Sequence, residues 1–224
     1  NDKRYLSVGN MLDKENKAIY GLEFSYETIP NELNLFDYDA FKAYKGDFYC
    51  VVTNLLTCEA EYMKYTGEDR TNTVLKATCA LPMLFPPIII NDTPYMDGGL
   101  TDSIPFMRAL EDGCDRVLVV LTREAGYTKT TSTSTKAIAR YYEKEYPKLS
   151  EVMLSRAERY NECLKQLKEY EDSGKVMVIR PAVSKGFSRL EKDKNKILSM
   201  YNDGYNQGYT LTGDIKKFFN YSNS

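Results

Sequence analysis

The 224-residue sequence contains no histidine, and that absence excludes more chemistry than any other single feature. Histidine is the usual general base near neutral pH and a usual zinc ligand. Neither a Ser-His-Asp nor a Cys-His triad can therefore be built from this chain, and base chemistry has to come from a carboxylate, Lys, Tyr or Cys. The five cysteines, Cys50, Cys58, Cys79, Cys114 and Cys163, are an odd number and include no Cys-x-x-Cys pair. That argues against a disulfide framework and against a zinc ribbon, so no metal or cofactor is expected and a reducing cytoplasm is the simplest setting. No block of basic residues suggests a nucleic-acid footprint. No apolar run is long enough to span a bilayer, and no signal-peptide pattern opens the sequence.

What is present reads as a soluble globular protein. Hydrophobic residues make up 42% and charged residues 28%, with a net charge of −2 and both signs interspersed. The length suits one large domain, or one domain with an appendage. The most informative stretch is Tyr95-Met96-Asp97-Gly98-Gly99-Leu100-Thr101-Asp102-Ser103-Ile104-Pro105, which follows the most apolar run, Ala80 to Ile90. Two adjacent glycines permit positive φ and close backbone approach, so Asp97 can be held on a tight turn. Asp-Gly is also a common turn dipeptide, and on these residues alone Asp97 could simply cap a backbone N–H.

The first forty residues read as loops and short helices, with a local helix start at Ile29-Pro30-Asn31-Glu32-Leu33. Phe48 to Asn54 reads as a buried strand and Glu59 to Tyr65 as its antiparallel neighbour. Thr71 to Leu81 predicts a helix stopped by Pro82, and Met83 to Ile90 an extended apolar ribbon, either core or the wall of a cleft. Asn91-Asp92-Thr93-Pro94 predicts a turn and Tyr95-Met96 a short strand. Ser103-Ile104-Pro105 opens a short helix that Gly113 closes. Arg116 to Thr122 reads as a strand buried on both faces in a parallel sheet, and strand, helix, strand in this order implies a right-handed crossover. Thr130 to Thr135 suggests a linker, Ala137 to Tyr146 a helix interrupted by Pro147, and Lys148 to Asp172 a long amphipathic helix ending near Ser173-Gly174. In that helix Leu149, Met153, Arg156, Tyr160, Cys163, Leu167 and Tyr170 recur every three or four residues. Lys175 to Pro181 predicts a strand. Arg189 to Asn202 and Thr212 to Phe219 predict helices, with Gly204, Gly208 and Gly213 as punctuation between them. No internal repeat and no phosphate-binding glycine loop is found.

Ala77-Thr78-Cys79-Ala80-Leu81-Pro82-Met83-Leu84-Phe85-Pro86-Pro87, then Tyr95-Met96-Asp97-Gly98-Gly99 and Asp102-Ser103-Ile104-Pro105, resemble the patatin-like phospholipases, most of all their bacterial branch. Arg4-Tyr5-Leu6-Ser7, Asn10-Met11-Leu12, Phe36-Asp37-Tyr38 and Val119-Val120-Leu121-Thr122-Arg123 extend the resemblance. From about Thr135 the chain is similar to a small C-terminal domain of unknown role that follows the patatin-like core. The resemblance implies an α/β, three-layer sandwich with a mostly parallel sheet, incomplete at the N-terminus, over residues 1–128. A mainly helical C-terminal domain with one strand (175–181) would follow over 129–224. It implies a lipid acyl hydrolase with a Ser–Asp dyad, which needs no histidine. Asp97 maps onto the dyad aspartate, Gly98 and Gly99 support its motif, and Met83, Leu84, Phe85 and Ile88 are candidates for an acyl-chain wall.

The nucleophile of such an enzyme sits in a Gly-x-Ser-x-Gly elbow and an upstream glycine-rich loop holds the oxyanion. Neither motif occurs in the 224 residues, and Ser7, Ser25 and Ser103 have the wrong neighbours. Family order places both motifs upstream of Arg4. The expectation is thus the larger C-terminal portion of a longer enzyme, itself inactive, whose partner is an acyl ester or phospholipid; membrane-surface contact and self-association are left open. The alternatives are a non-catalytic binding or scaffold module on the same fold, and a cysteine hydrolase, disfavoured because neither Cys79 nor Cys114 has a basic neighbour in sequence.

Overall fold

The computed structural model describes residues 2–14, 16–184, 186–187 and 191–220. Its helices are α1 (Val8–Leu12), α2 (Tyr38–Ala43), α3 (Thr73–Thr78), α4 (Phe106–Glu111), α5 (Thr133–Tyr142), α6 (Pro147–Asp172), α7 (Lys194–Thr210) and α8 (Thr212–Phe218). A π-helix spans Phe24–Leu33 and a 3-10 turn Gly98–Leu100. The strands are β1 (Tyr49–Asn54), β2 (Ala60–Lys64), β3 (Ile88–Ile90), β4 (Thr93–Asp97), β5 (Val117–Val120) and β6 (Val176–Ile179). The described residues form two compact units, the first drawn from 1–104 and 130–160, the second from 105–129 and 161–224.

In the first unit four strands form one sheet in the order β2-β1-β4-β3, every neighbour antiparallel. Connection length explains the direction of two of these pairings, because a parallel neighbour needs a crossover of a dozen or more residues. Only residues 55–59 separate β1 from β2, and only Asn91 and Asp92 separate β3 from β4. Both turn residues have positive φ, 48° and 62°, as a two-residue type I′ hairpin requires. The mixed α/β class and the helical C-terminal region are as the sequence implies. The mostly parallel sheet is not found among these strands: three pairings are antiparallel and one, β5 with β6, is parallel.

Packing joins the sheet to the helices that follow in the chain. Leu55, Met96 and Leu100 share a buried cluster with Ala139 and Tyr142 of α5 and with Leu149 and Met153 of α6. Pro147 opens α6 instead of merely interrupting what precedes it, because the first helical turn has no use for the missing N–H. Ser132 caps α5 by accepting from the Thr135 N–H, so much of the expected linker is helix. Pro30 likewise sits inside the π-helix, where the sequence suggests a helix start.

In the second unit, α4 ends on Gly113 (φ 95°), with Gly113 N–H donating to Leu110 O and Cys114 N–H to Ala109 O, the paired bonds of a Schellman cap. β5 pairs with β6, not with β4, so the crossover inferred from strand, helix, strand does not form between them. Nor is β5 covered on both faces. Val120 is 68% exposed and lines a cavity of about 680 Å³ with Ile179, Val183 and Met200. α7 runs through Gly204 and Gly208, and α8 through Gly213, so these glycines do not break the helices. Arg189, the expected helix start, lies outside the described residues. α3 is shorter than expected, stopping at Cys79 before Pro82 is reached.

Leu149 has no exposed surface and belongs to the cluster that joins α6 to β4. Leu149→Ala is expected to cost about 2–5 kcal/mol, the range for a buried leucine whose cavity cannot fully collapse. Urea unfolding followed by circular dichroism measures it; an unchanged midpoint would remove α6 from the core.

Candidate active site

Asp97 is the last residue of β4 and is opposite Val52 of β1. Its backbone is tied on both sides: the N–H donates to Ala80 O at 2.9 Å, and the carbonyl accepts from Thr53 Oγ1 at 2.8 Å. The side chain turns back over the next residues, and Oδ1 accepts the Gly99 N–H at 2.7 Å, capping the 3-10 turn. The residue is half-buried.

The glycines serve a purpose other than positive φ, which neither adopts. A Cβ on Gly98 would lie 2.2 Å from the Val51 carbonyl oxygen and 2.4 Å from its carbon, inside van der Waals contact with a backbone that cannot step aside. Gly98 therefore lets the chain leaving β4 pass directly over β1. A Cβ on Gly99 would meet Asp97 Oδ1 at 2.9 Å and Arg156 Nη2 at 3.2 Å. Here the missing side chain leaves room for two charged groups.

The rest of the turn is saturated with hydrogen bonds. Gly98 O accepts from the N–H groups of Thr101 and Asp102, at 3.0 and 2.8 Å. Gly99 O accepts from Ser103 Oγ at 2.7 Å and from Arg156 Nε. Asp102 Oδ2 accepts from Tyr62 Oη of β2 at 2.7 Å, and Thr53 Oγ1 is 2.9 Å from Thr101 Oγ1. Asp97 is thus presented on a fixed backbone, the way a scaffold holds a reacting group.

Residues 12–110, which contain this turn, match the patatin-like phospholipase family. The turn thus lies in a patatin-like region of the chain. Residues 146–220 match a second family, described as a domain of unknown function, DUF6363. No curated protein matches the chain. No helix among the described residues is long and apolar enough to cross a membrane.

Two side chains of the patatin-like match lie in the field of Asp97. Cys79, at the end of α3, and Tyr26, in the π-helix, are hydrogen-bonded to each other, and the Asp97 charge acts on both. Burial pushes the Tyr26 hydroxyl up, helped by Cys79 and by Asp97. The Cys79 thiol is also pushed up, chiefly by loss of hydration and further by Asp97, while the Tyr26 bond opposes the shift. Cys79 as a residue is exposed. A thiol held neutral is a poor nucleophile, which disfavours the cysteine-hydrolase alternative.

The structure separates the residues considered for an acyl-chain wall. Phe85 is buried against Ala18 and Ala80 and stacks on Tyr20 at 5.6 Å, which makes it core. Leu84 and Ile88 pack around that cluster, while Met83 is exposed. Asp97, Gly98 and Gly99 do come together in one turn. Tyr26, Cys79 and Thr53 join them through long-range contacts that no local spacing announces, whereas Arg156 left one signal: an arginine in the apolar register of a long helix.

Gly98→Ala is expected to cost at least about 1–3 kcal/mol, the overpacking range, because its clash is with backbone. Gly204→Ala, where a Cβ meets nothing within 4 Å, is the control. Equal urea midpoints for the two would contradict the close approach. Independently, Asp97→Asn is expected to lower the Cys79 thiol pKa and speed its alkylation by iodoacetamide at pH 8, with the exposed Cys114 as internal reference. Peptide mass spectrometry reads both sites, and an unchanged rate ratio would mean that Asp97 does not act on Cys79.

Proposed function

We propose that this chain supplies the base of a serine lipid acyl hydrolase in which Asp97 forms a Ser–Asp dyad, its serine lying outside residues 1–224. The supporting observation is the fixing of Asp97 at the end of β4, by backbone on both sides and by its own side-chain cap, within the patatin-like match. A serine hydroxyl becomes a competent nucleophile when a carboxylate accepts its proton as the oxygen attacks the ester carbonyl. The same carboxylic acid then returns the proton to the leaving alcohol, and water repeats the sequence on the acyl-enzyme. Oδ1 accepts the Gly99 N–H, which fixes the direction in which the carboxylate faces. The absence of histidine is no obstacle to this chemistry. The substrate class is an acyl ester of a lipid, reached in solution or at a membrane surface, with no cofactor taking part.

One observation favours a second reading, a non-catalytic binding or scaffold module: the Asp97 carboxylate already caps its own turn, a sufficient structural reason for an aspartate there. Asn at this position can keep that cap through its side-chain oxygen but cannot accept a proton. In a chain extended upstream to include a Gly-x-Ser-x-Gly elbow, Asp97→Asn is expected to lower kcat on p-nitrophenyl butyrate and phosphatidylcholine by about 10²–10⁴, the usual contribution of general base catalysis. Its unfolding midpoint should stay near that of the parent. Equal rates in the two proteins would decide for the scaffold.

A further inference from the structure

The region of unknown function begins with α6, and α6 reaches the Asp97 turn. Leu149, Met153 and Arg156 follow one another along a single helix face at spacings of four and three, and Arg159 continues it. The first two pack on Met96 and Leu100, the residues flanking the Asp97-Gly98-Gly99 motif. The face then changes from apolar to cationic where the carbonyls of the turn point outward. Arg156 Nε donates to Gly99 O, and its Nη2 approaches the same side of Gly99 as Asp97 Oδ1. Arg159 Nη2 donates to Leu100 O at 2.7 Å and to Val152 O at 2.9 Å, and its Nη1 to Ser155 Oγ.

We propose that α6 of the DUF6363 region is a positioning clamp for the patatin-like domain, in which Arg156 and Arg159 hold the Gly99 and Leu100 carbonyls and so fix the Asp97 carboxylate. The two arginines divide the task. Arg159 is half-buried, and burial pulls its guanidinium below the usual range. Desolvating a guanidinium is tolerable only when its donors find acceptors, and here the helix and the turn supply them, so Arg159 locks one to the other. Arg156 is close enough to influence the carboxylate directly, since a nearby cation favours the ionised form that a base must have. Gly99 O accepts from Ser103 and from Arg156 at once, so both of its acceptor directions are in use and the peptide plane cannot rotate freely. Arg159 acts through the turn, and Arg156 acts both through the turn and by its charge beside the carboxylate.

The assignment rests on Asp97 being the base, and its test does not require catalysis. In this chain, with ¹³C-labelled aspartate, the Asp97 carboxyl is titrated by NMR. Titratable or charged groups near it include Tyr26 from the π-helix, Cys79 from α3 and Arg156 from α6. Arg156→Gln is expected to raise the Asp97 pKa, and Arg156→Lys, which keeps the charge, to restore it in large part. Arg159→Gln is expected to speed amide exchange of Leu100, Thr101 and Asp102 at least tenfold while Val52 and Thr53 of β1 keep wild-type protection. Should Arg159→Gln fail to fold, Arg159→Lys is measured in its place, with faster exchange at the same three amides expected because one ammonium cannot reach all three acceptors. Unchanged Asp97 titration in Arg156→Gln, or unchanged exchange at residues 100–102 in the Arg159 variant, would overturn the clamp. Full hydrolysis by Asp97→Asn in the extended chain would instead remove the catalytic reading and leave these two measurements standing.

Discussion

Everything at this site depends on the chain leaving β4 being able to lie on β1 without a side chain between them. Gly98 makes that contact with the Val51 carbonyl. Once it is made, the 3-10 turn has to begin at once, Thr53 of β1 falls beneath the Asp97 carbonyl, and Gly98 O becomes the acceptor for the next two amides. A larger residue would lift the turn from the sheet and separate Thr53 from both Asp97 and Thr101. The hydrogen bonds that hold the carboxylate are consequences of one steric fact.

The same contact explains why local sequence leaves the role of Asp97 open. Asp-Gly-Gly has the composition of a flexible turn, and positive φ is the obvious use for two glycines. The backbone takes neither option: Gly98 is selected by Val51, remote in sequence, and Gly99 by the Asp97 carboxylate together with the remote Arg156. Hydrophobic pattern was a good guide to strands and to long helices, as in β1, β2, β6 and α6, because each is decided by short-range periodicity. Pairing direction was less legible. The aliphatic run at β5 looks like a strand buried on both faces, yet it belongs to a two-stranded sheet that leaves Val120 open to a cavity. Glycine misled in the other direction within α7, where neighbouring helical residues carried the chain through Gly204 and Gly208. The missing histidines were the clearest chemical statement in the sequence, and they needed no structure to interpret.

The two family matches are separated by residues 111–145, but the first unit does not follow that division. It contains the start of the DUF6363 region together with most of the patatin-like match. Met96 and Leu100, on either side of the motif, are buried by Leu149 and Met153 of α6. A patatin-like segment ending at residue 110 would expose those side chains and leave the Gly99 and Leu100 carbonyls without their arginine donors. The unknown-function region is in this sense part of the wall behind the aspartate.

A carboxylate base faces an electrostatic compromise that a histidine does not. It must be ionised to accept a proton, so it benefits from a nearby cation, yet a strongly paired carboxylate is a weak base. The arrangement around Asp97 separates these demands. Arg156 spends its Nε on the Gly99 carbonyl while its Nη2 stays beside the carboxylate. Oδ1 is held by a neutral backbone amide, and the groups on the other side, Tyr26 and Cys79, are both held in their uncharged forms by burial and by Asp97 itself. The carboxylate thus has a cation on the Gly99 side and, within the reach of its charge, two groups pushed toward their uncharged forms. The proposed dyad asks this of its base, which would take a proton from serine and give it back within one catalytic cycle.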